Sequence, residues 1–265
     1  MKKVLTTSLF VLSCVGSHAA LATDATGPNS VYIQQLGSTN VVTIEQVGGT
    51  NRVGGVTNSN GTPTVDGTGL TTLTPADPSS SNYGTINGSN NNLTITQHGN
   101  ANSAQYNIQG GYNTYTSTVT GNTNKTRLTI GDQNNASNNY NTVTETISGN
   151  TNTVLTNIVG SHNTTTTSLT GNSNQVTENI TTSTGSVSNT VTGDSNFFNI
   201  QQTDAAGASG HALVMNTSGN FNSITTQQQG TNDTTVNINT SGSNNTITVR
   251  TSSSSIVSPV SAIAR

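Results

Sequence analysis

The chain has 265 residues, of which only 6% are charged and 29% hydrophobic, and its formal net charge is −3. A charge so small and negative excludes nucleic-acid binding through a basic patch. Low hydrophobicity alone would suggest disorder, but disordered chains are normally rich in charge and proline, and this one has just five prolines. Nearly uncharged Asn/Thr/Gln sequence with regularly spaced Val and Ile suits β stacking instead.

Residues 1–22 read as a secretory signal peptide. Lys2 and Lys3 form a basic start, Val4 to Val15 is mostly apolar, and Ala20-Leu21-Ala22 supplies a cleavage site after Ala22. The apolar run is too short to span a membrane. A second reading takes Val11-Leu12-Ser13-Cys14 as a lipobox ending in an acylated Cys14. Cleavage after Ala22 removes two lysines, which takes the charge from −3 to −5, and with them the single cysteine. Disulfides and thiolate metal sites are then excluded from the mature chain.

Residues 23–53 open a repeat. Gly-x-x-Asn occurs at Gly37/Asn40 and Gly48/Asn51, one 11-residue step apart. Residues 54–87 carry no repeat and hold Pro63, Pro75 and Pro78. Proline cannot donate to a strand ladder, so an exposed insertion between the first coil and the rest is expected. From 88 to 250 the repeat resumes at Gly88/Asn91, Gly99/Asn102, Gly110/Asn113, Gly121/Asn124 and Gly131/Asn134. It continues at Gly149/Asn152, Gly160/Asn163, Gly171/Asn174, Gly193/Asn196, Gly219/Asn222 and Gly230. Shorter insertions are expected at Asn134 to Asn141 and Thr203 to Gly210, and residues 251–265 as a flexible tail.

Between landmarks the residues alternate. Counting back from each glycine by two, four and six gives Val31, Ile33 and Gln35, then Val42, Ile44 and Gln46, then Leu93, Ile95 and Gln97. Before Gly230 the same count gives Ile224, Thr226 and Gln228. Period 2 of this kind makes each unit one half-buried strand. Glycine supplies positive φ for the turn, and Asn tolerates the left-handed region and caps its own backbone. The predicted fold is all-β: a two-sheet β-solenoid of stacked coils of about 22 residues, each two strand-turn units, with inward Gln and Asn forming amide ladders.

These units resemble those of curlins, the subunits of bacterial surface amyloid fibres, whose repeat runs approximately Ser-x5-Gln-x-Gly-x2-Asn-x-Ala-x3-Gln. Asn29, Gln35, Gly37, Asn40, Val42 and Gln46 sit at those spacings, as do Asn91, Gln97, Gly99, Asn102 and Ala104, and later Gln228 and Gly230. The match is close over residues 29–51 and 91–110; over 111–250 the glycine, asparagine and apolar spacing remains, with Thr often replacing Gln. The resemblance implies secretion through outer-membrane machinery and self-assembly, alone or with other curlin-like subunits, into extracellular cross-β fibres for biofilm matrix and adhesion.

A different class of function is suggested by Thr pairs on alternate units. Thr94/Thr96, Thr116/Thr118, Thr144/Thr146, Thr166/Ser168 and Ser188/Thr190 fall on the outward face of one sheet, which resembles the ice-contacting face of β-solenoid antifreeze proteins. Ice binding or adhesion by a monomer is therefore the alternative to a fibre. The opposing bland account is that Thr is simply a good solvent-facing strand residue. His98, His162 and His211 lack metal-ligand spacing and read as solvated, His98 and His162 in turns. Gly131-Asp132 and Gly193-Asp194 lack the Asp in nearly every turn that a calcium solenoid needs. No catalytic, cofactor or small-molecule site is expected. Glu145 and Glu178 fall inward by the count; since an unpaired buried carboxylate is costly, a local register shift or an open coil end is favoured over a role as gatekeepers that limit stacking.

Overall fold

Thr, Val and Ile at every second position suit a pleated strand with one buried face, and almost every element follows from that alternation. The computed structural model describes residues 8–14, 18–20, 29–31, 33–54, 84–131, 138–204, 210–253 and 260–264. The expected cleavage site after Ala22 and positions 55–83 of the 54–87 insertion lie outside the described residues.

The strands divide into two sheets. The first contains β1 (Ser8–Cys14), β5 (Asn40–Val47), β8 (Asn92–His98), β10 (Thr114–Thr120) and β12 (Thr142–Ser148). It continues through β14 (Thr164–Thr170), β16 (Ser186–Thr192), β18 (Ala212–Ser218), β20 (Thr235–Ser241) and β22 (Val260–Ala264). The second contains β2 (His18–Ala20), β3 (Ser30–Val31), β4 (Ile33–Leu36), β6 (Arg52–Val53), β7 (Gly84–Asn87) and β9 (Ser103–Gln109). It continues through β11 (Lys125–Ile130), β13 (Thr153–Val159), β15 (Gln175–Thr181), β17 (Phe197–Asp204), β19 (Ser223–Gly230) and β21 (Thr246–Ser253).

The chain crosses from sheet to sheet at each turn, so every strand pairs with the strand one coil away. The result is the expected two-sheet β-solenoid. Pairing is parallel throughout except at β1–β5 and β2–β4, which are antiparallel. The inward face of each coil is apolar at most positions, with Leu93, Ile95, Tyr106, Ile108, Leu128, Phe198 and Ile200 almost fully buried.

Register measures the insertions. Uninterrupted coils pair at a spacing of 22, as in Thr114↔Asn92. The spacing is 28 for Thr114↔Thr142 and 26 for Ser186↔Ala212, so those coils hold six and four additional residues. Both fall where the second sheet hands over to the first, between β11 and β12 and between β17 and β18. The first is shorter than expected: Asn138 and Asn141 are buried members of the turn rather than part of an excursion.

Two other boundaries change. The 54–87 insertion does not separate one coil from the next; it interrupts a strand. Arg52 and Val53 pair with Ser103 and Ala104, while Thr85, Ile86 and Asn87 pair with Asn107, Ile108 and Gln109 of the same strand, β9. Each half is held by neighbours on both sides, which lets the middle be replaced, and the Tyr106 ring fills the space beside Gly84, where a Cβ would lie 2.5 Å from it. At the other end, the stretch read as a loose tail contributes β22. Its backbone pairs with β20 in parallel, Val260 opposite Val236 and Ala262 opposite Ile238.

Candidate functional site

The two lines of turns carry stacked polar side chains along the solenoid. On the edge where the first sheet hands over to the second, glycines 48, 99, 121, 149, 171, 193, 219 and 242 form an unbroken column, each at positive φ. The residue three places on is Asn in every case: Asn51, Asn102, Asn124, Asn152, Asn174, Asn196, Asn222 and Asn245. These side chains face inward and make a ladder. Asn124 donates through N–H at 3.0 Å and Nδ2 at 3.1 Å to Asn102 Oδ1, and Asn152 donates to Asn124 at 2.9 and 3.1 Å. From Asn51 to Asn222 the spare Nδ2 hydrogen caps a glycine carbonyl of the next coil, as in Asn102 to Gly121 at 2.7 Å. All rungs point the same way, each Asn donating to the one before it.

The opposite edge begins the same way. Asn40, Asn91, Asn113, Asn141 and Asn163 form a ladder beside Gly37, Gly88, Gly110 and Gly160. It ends there because the next turns carry Gly185, His211 and Thr234 at the Asn position. Inward glutamines add shorter links, Gln46 to Gln97 at 2.9 Å and Gln202 to Gln228 at 2.9 Å. Gln35 is buried, and neither amide atom has a hydrogen-bond partner among the described residues.

The expected role of Asn is corrected here. Positive φ falls not on Asn but on the residue before it, such as Ala101, Thr123, Thr151 and Ser173, at about +60° for Thr123 and Thr151. The N–H of that residue is committed to the preceding coil, as in Thr123 to the Asn100 carbonyl at 2.9 Å. Asn is thereby freed to bond between coils rather than cap itself.

A second ladder was not foreseen. Asn100, Asn122, Asn150, Asn172, Asp194 and Asn220 stand one place after the glycines, on the solvent side. Asn100 donates to Asn122 Oδ1 at 2.8 and 3.2 Å, so these rungs run opposite to the buried ones. The signal was present as Gly-Asn-x-Asn on alternate landmarks. Asp194 accepts from Asn172 in this row, which gives it a structural partner in the turn.

The Thr pairs lie where expected and belong to something larger. Register aligns Thr94, Thr116, Thr144, Thr166 and Ser188 in one row, and Thr96, Thr118, Thr146, Ser168 and Thr190 in another. Flanking rows add Thr114, Thr142, Thr164 and Ser186 on one side and Thr120, Ser148, Thr170 and Thr192 on the other. From β10 to β16 every outward position of the first sheet therefore bears a hydroxyl. The second sheet shows instead Gln105 and Asn107, Arg127, Leu155 and Asn157, and Thr177 and Asn179.

Among the histidines, His98 is not in a turn but ends β8, 3.3 Å from Glu45. His162 is in a turn, where it stacks on Tyr140, itself stacked on Tyr112 at 4.8 Å between ring centres. His211 is buried rather than solvated: Nε2 lies 3.1 Å from Asp204 and Nδ1 2.9 Å from the Thr234 hydroxyl. That cluster closes the turn where the Asn ladder stops. Among the described residues no group of three or more His, Cys, Asp or Glu could hold a metal ion.

No family model, curated protein or solved structure matches the chain.

Glu145 and Glu178 are fully buried and in register, correcting the expectation of a shift or an open end. Tyr115 donates to Glu145 Oε2 at 2.7 Å, and the Thr156 hydroxyl lies 3.1 Å from Glu145 Oε1 and 3.3 Å from Glu178 Oε2. Thr167 bonds the other oxygen of Glu178. Burial pushes the Glu145 carboxyl up to about 8 and that of Glu178 up to about 7, against the pull of these hydroxyl donors.

Proposed function

We propose that the chain is a secreted structural subunit that joins copies of itself end to end by strand stacking, forming extracellular fibres of the curlin kind for a surface matrix and adhesion. The observation that carries this reading is the polarity of the buried Asn ladder. Asn29 opens it by accepting the Asn51 N–H at 3.0 Å, and Asn245 closes it by donating to Asn222 at 2.9 and 3.0 Å. The ends of the solenoid are therefore unlike, and unlike ends that fit each other build open filaments rather than closed pairs. Loss of residues 1–22 would uncover β4 and β5 as edges, and edge strands template further strands. Low charge favours stacking, since like charges would repel at every ~4.8 Å repeat.

The reading fixes a register. If Asn29 of one copy follows Asn245 of another, Leu36 lies beside Ser252, both outward and exposed. Adjacent strands put such Cα atoms about 4.8 Å apart, within reach of a disulfide. Mature chains carrying Leu36→Cys and Ser252→Cys should cross-link when mixed and assembled, and neither should do so alone. Fibre diffraction should show the ~4.8 and ~10 Å spacings of stacked sheets. A mature chain that stays monomeric at high concentration, seeded or not, rules the fibre out.

The hydroxyl face supports a second reading, in which that face binds ice. Its rows repeat at roughly 4.8 Å along the stack and about 6.6 Å along each strand. Strand propensity would enrich Thr on both sheets alike, whereas the continuous hydroxyl array occurs on one. Thr118→Tyr with Thr146→Tyr should abolish uptake into a growing ice front, and Asn157→Tyr on the other sheet should leave it intact. A wild-type chain excluded from ice eliminates this reading.

A further inference from the structure

The centre of the core changes character for four coils. Along the first sheet the middle inward column runs Ile95, Ser117, Glu145, Thr167, Asn189 and Met215. The facing column of the second sheet supplies Thr156 and Glu178 between Leu128 and Ile200. Apolar residues seal both ends of this polar seam, and Glu145, Glu178, Thr156 and Thr167 are all at most 1% exposed.

Counting protons shows what the seam requires. Tyr115, Thr156 and Thr167 bring three hydroxyl protons to four carboxyl oxygens, and the Thr156 proton serves only one of the two carboxyls it lies between. A proton on one carboxyl completes the chain of hydrogen bonds from Tyr115 to Thr167; protons on both leave no uncompensated charge. The groups that act on the pair are Tyr115 and Ser117 from β10, Thr156 from β13, Thr167 from β14 and Asn189 from β16, with Thr126 of β11 beside Tyr115. None is cationic, and Lys125 and Arg127 lie on the outer face of β11.

We infer that Glu145 and Glu178 form a proton-controlled latch: the coils from β12 to β15 are held shut while the pair is protonated, and open locally when it ionises. The sign follows from burial. Both carboxyls titrate above the 4.5 of a free glutamate, at about 8 and about 7. The stabilisation is therefore complete below pH 4.5 and is lost as the pH rises through about 7 and about 8. The inference does not depend on whether the chain forms fibres, since it concerns coils inside one molecule.

Hydrogen exchange of the full-length chain tests it. After correction for intrinsic rates, the opening constant of peptides from β12 to β15 should rise by at least about 100-fold between pH 5 and 9. Peptides from β18 to β20 should change far less. In Glu145→Gln with Glu178→Gln the difference should disappear. A flat wild-type profile, or a pH dependence that survives in the glutamine variant, overturns the inference. Should that variant fail to fold, infrared spectra of the wild type at pH 6 decide instead: a protonated-carboxyl stretch protected from solvent exchange supports the latch, and its absence refutes it.

Discussion

Gly121→Ala should destabilise the solenoid by more than about 3 kcal/mol, a large effect for removing no contact at all. Gly121 has a φ of 123°, outside the left-handed pocket that other residues occasionally adopt. A Cβ there would stand 1.8 Å from the Gly149 carbonyl oxygen and 2.7 Å from its carbon. The obstruction is backbone, fixed in the next coil, so nothing nearby can rotate away. Relief would require separating β10 from β12, and in a stacked array each coil is held mainly by its neighbours. Thr123 is the internal control. It too has positive φ, at 60°, but its side chain is exposed, so Thr123→Gly should be nearly neutral or slightly stabilising. Urea unfolding of the two variants beside the wild type measures the contrast; equal midpoints for Gly121→Ala and the wild type would refute the stacked-glycine argument.

The same glycine illustrates what the sequence could and could not reveal. Its spacing and its need for positive φ were legible, because an 11-residue period and a turn residue are local properties. The carbonyl against it was not, since the contact lies one coil away, and the coil spacing varies from 22 to 51 residues with insertions. Inward positions of strands were legible for a related reason. Alternation is local, so Ile95, Val154 and Ile158 could be assigned to the core by counting alone. Glu145 was also counted inward, yet its partner Tyr115 is 30 residues upstream and Thr156 is on the other sheet. Only the assembled register brings them together, so burial appeared too costly from the sequence. β6 and β7 failed differently: at two and four residues they are too short to carry a period. His211 gave no signal because the Asn ladder it replaces shows itself only between coils.

The ladder provides the other large expected effect. Asn152→Asp is nearly isosteric, and Asn152 is fully buried. The amide donates to Asn124 Oδ1 at 3.1 Å and to the Gly171 carbonyl at 2.7 Å, while its oxygen accepts from Asn174 at 3.0 and 3.1 Å. A carboxylate keeps the accepting half and loses both donated bonds, and it faces two acceptor oxygens across those gaps. Uncompensated buried charge makes this worse than losing two hydrogen bonds, and at pH 7 the loss should reach about 3 to 5 kcal/mol. Burial and the facing acceptors favour the protonated acid, so the folded-state pKa rises above the unfolded value. The variant should therefore be least impaired below about pH 4, and its deficit relative to the wild type should grow as the pH increases. The exposed ladder explains why position matters more than chemistry. There Asp194 already occupies a rung, accepting from Asn172 at 2.6 and 3.0 Å, and its own N–H reaches Asn220 Oδ1 at 2.7 Å. Water can solvate what its carboxylate leaves unpaired. Asn150→Asp, on an exposed rung of that row, should accordingly melt close to the wild type at every pH, and thermal unfolding of the two Asp variants from pH 3 to 8 would separate them.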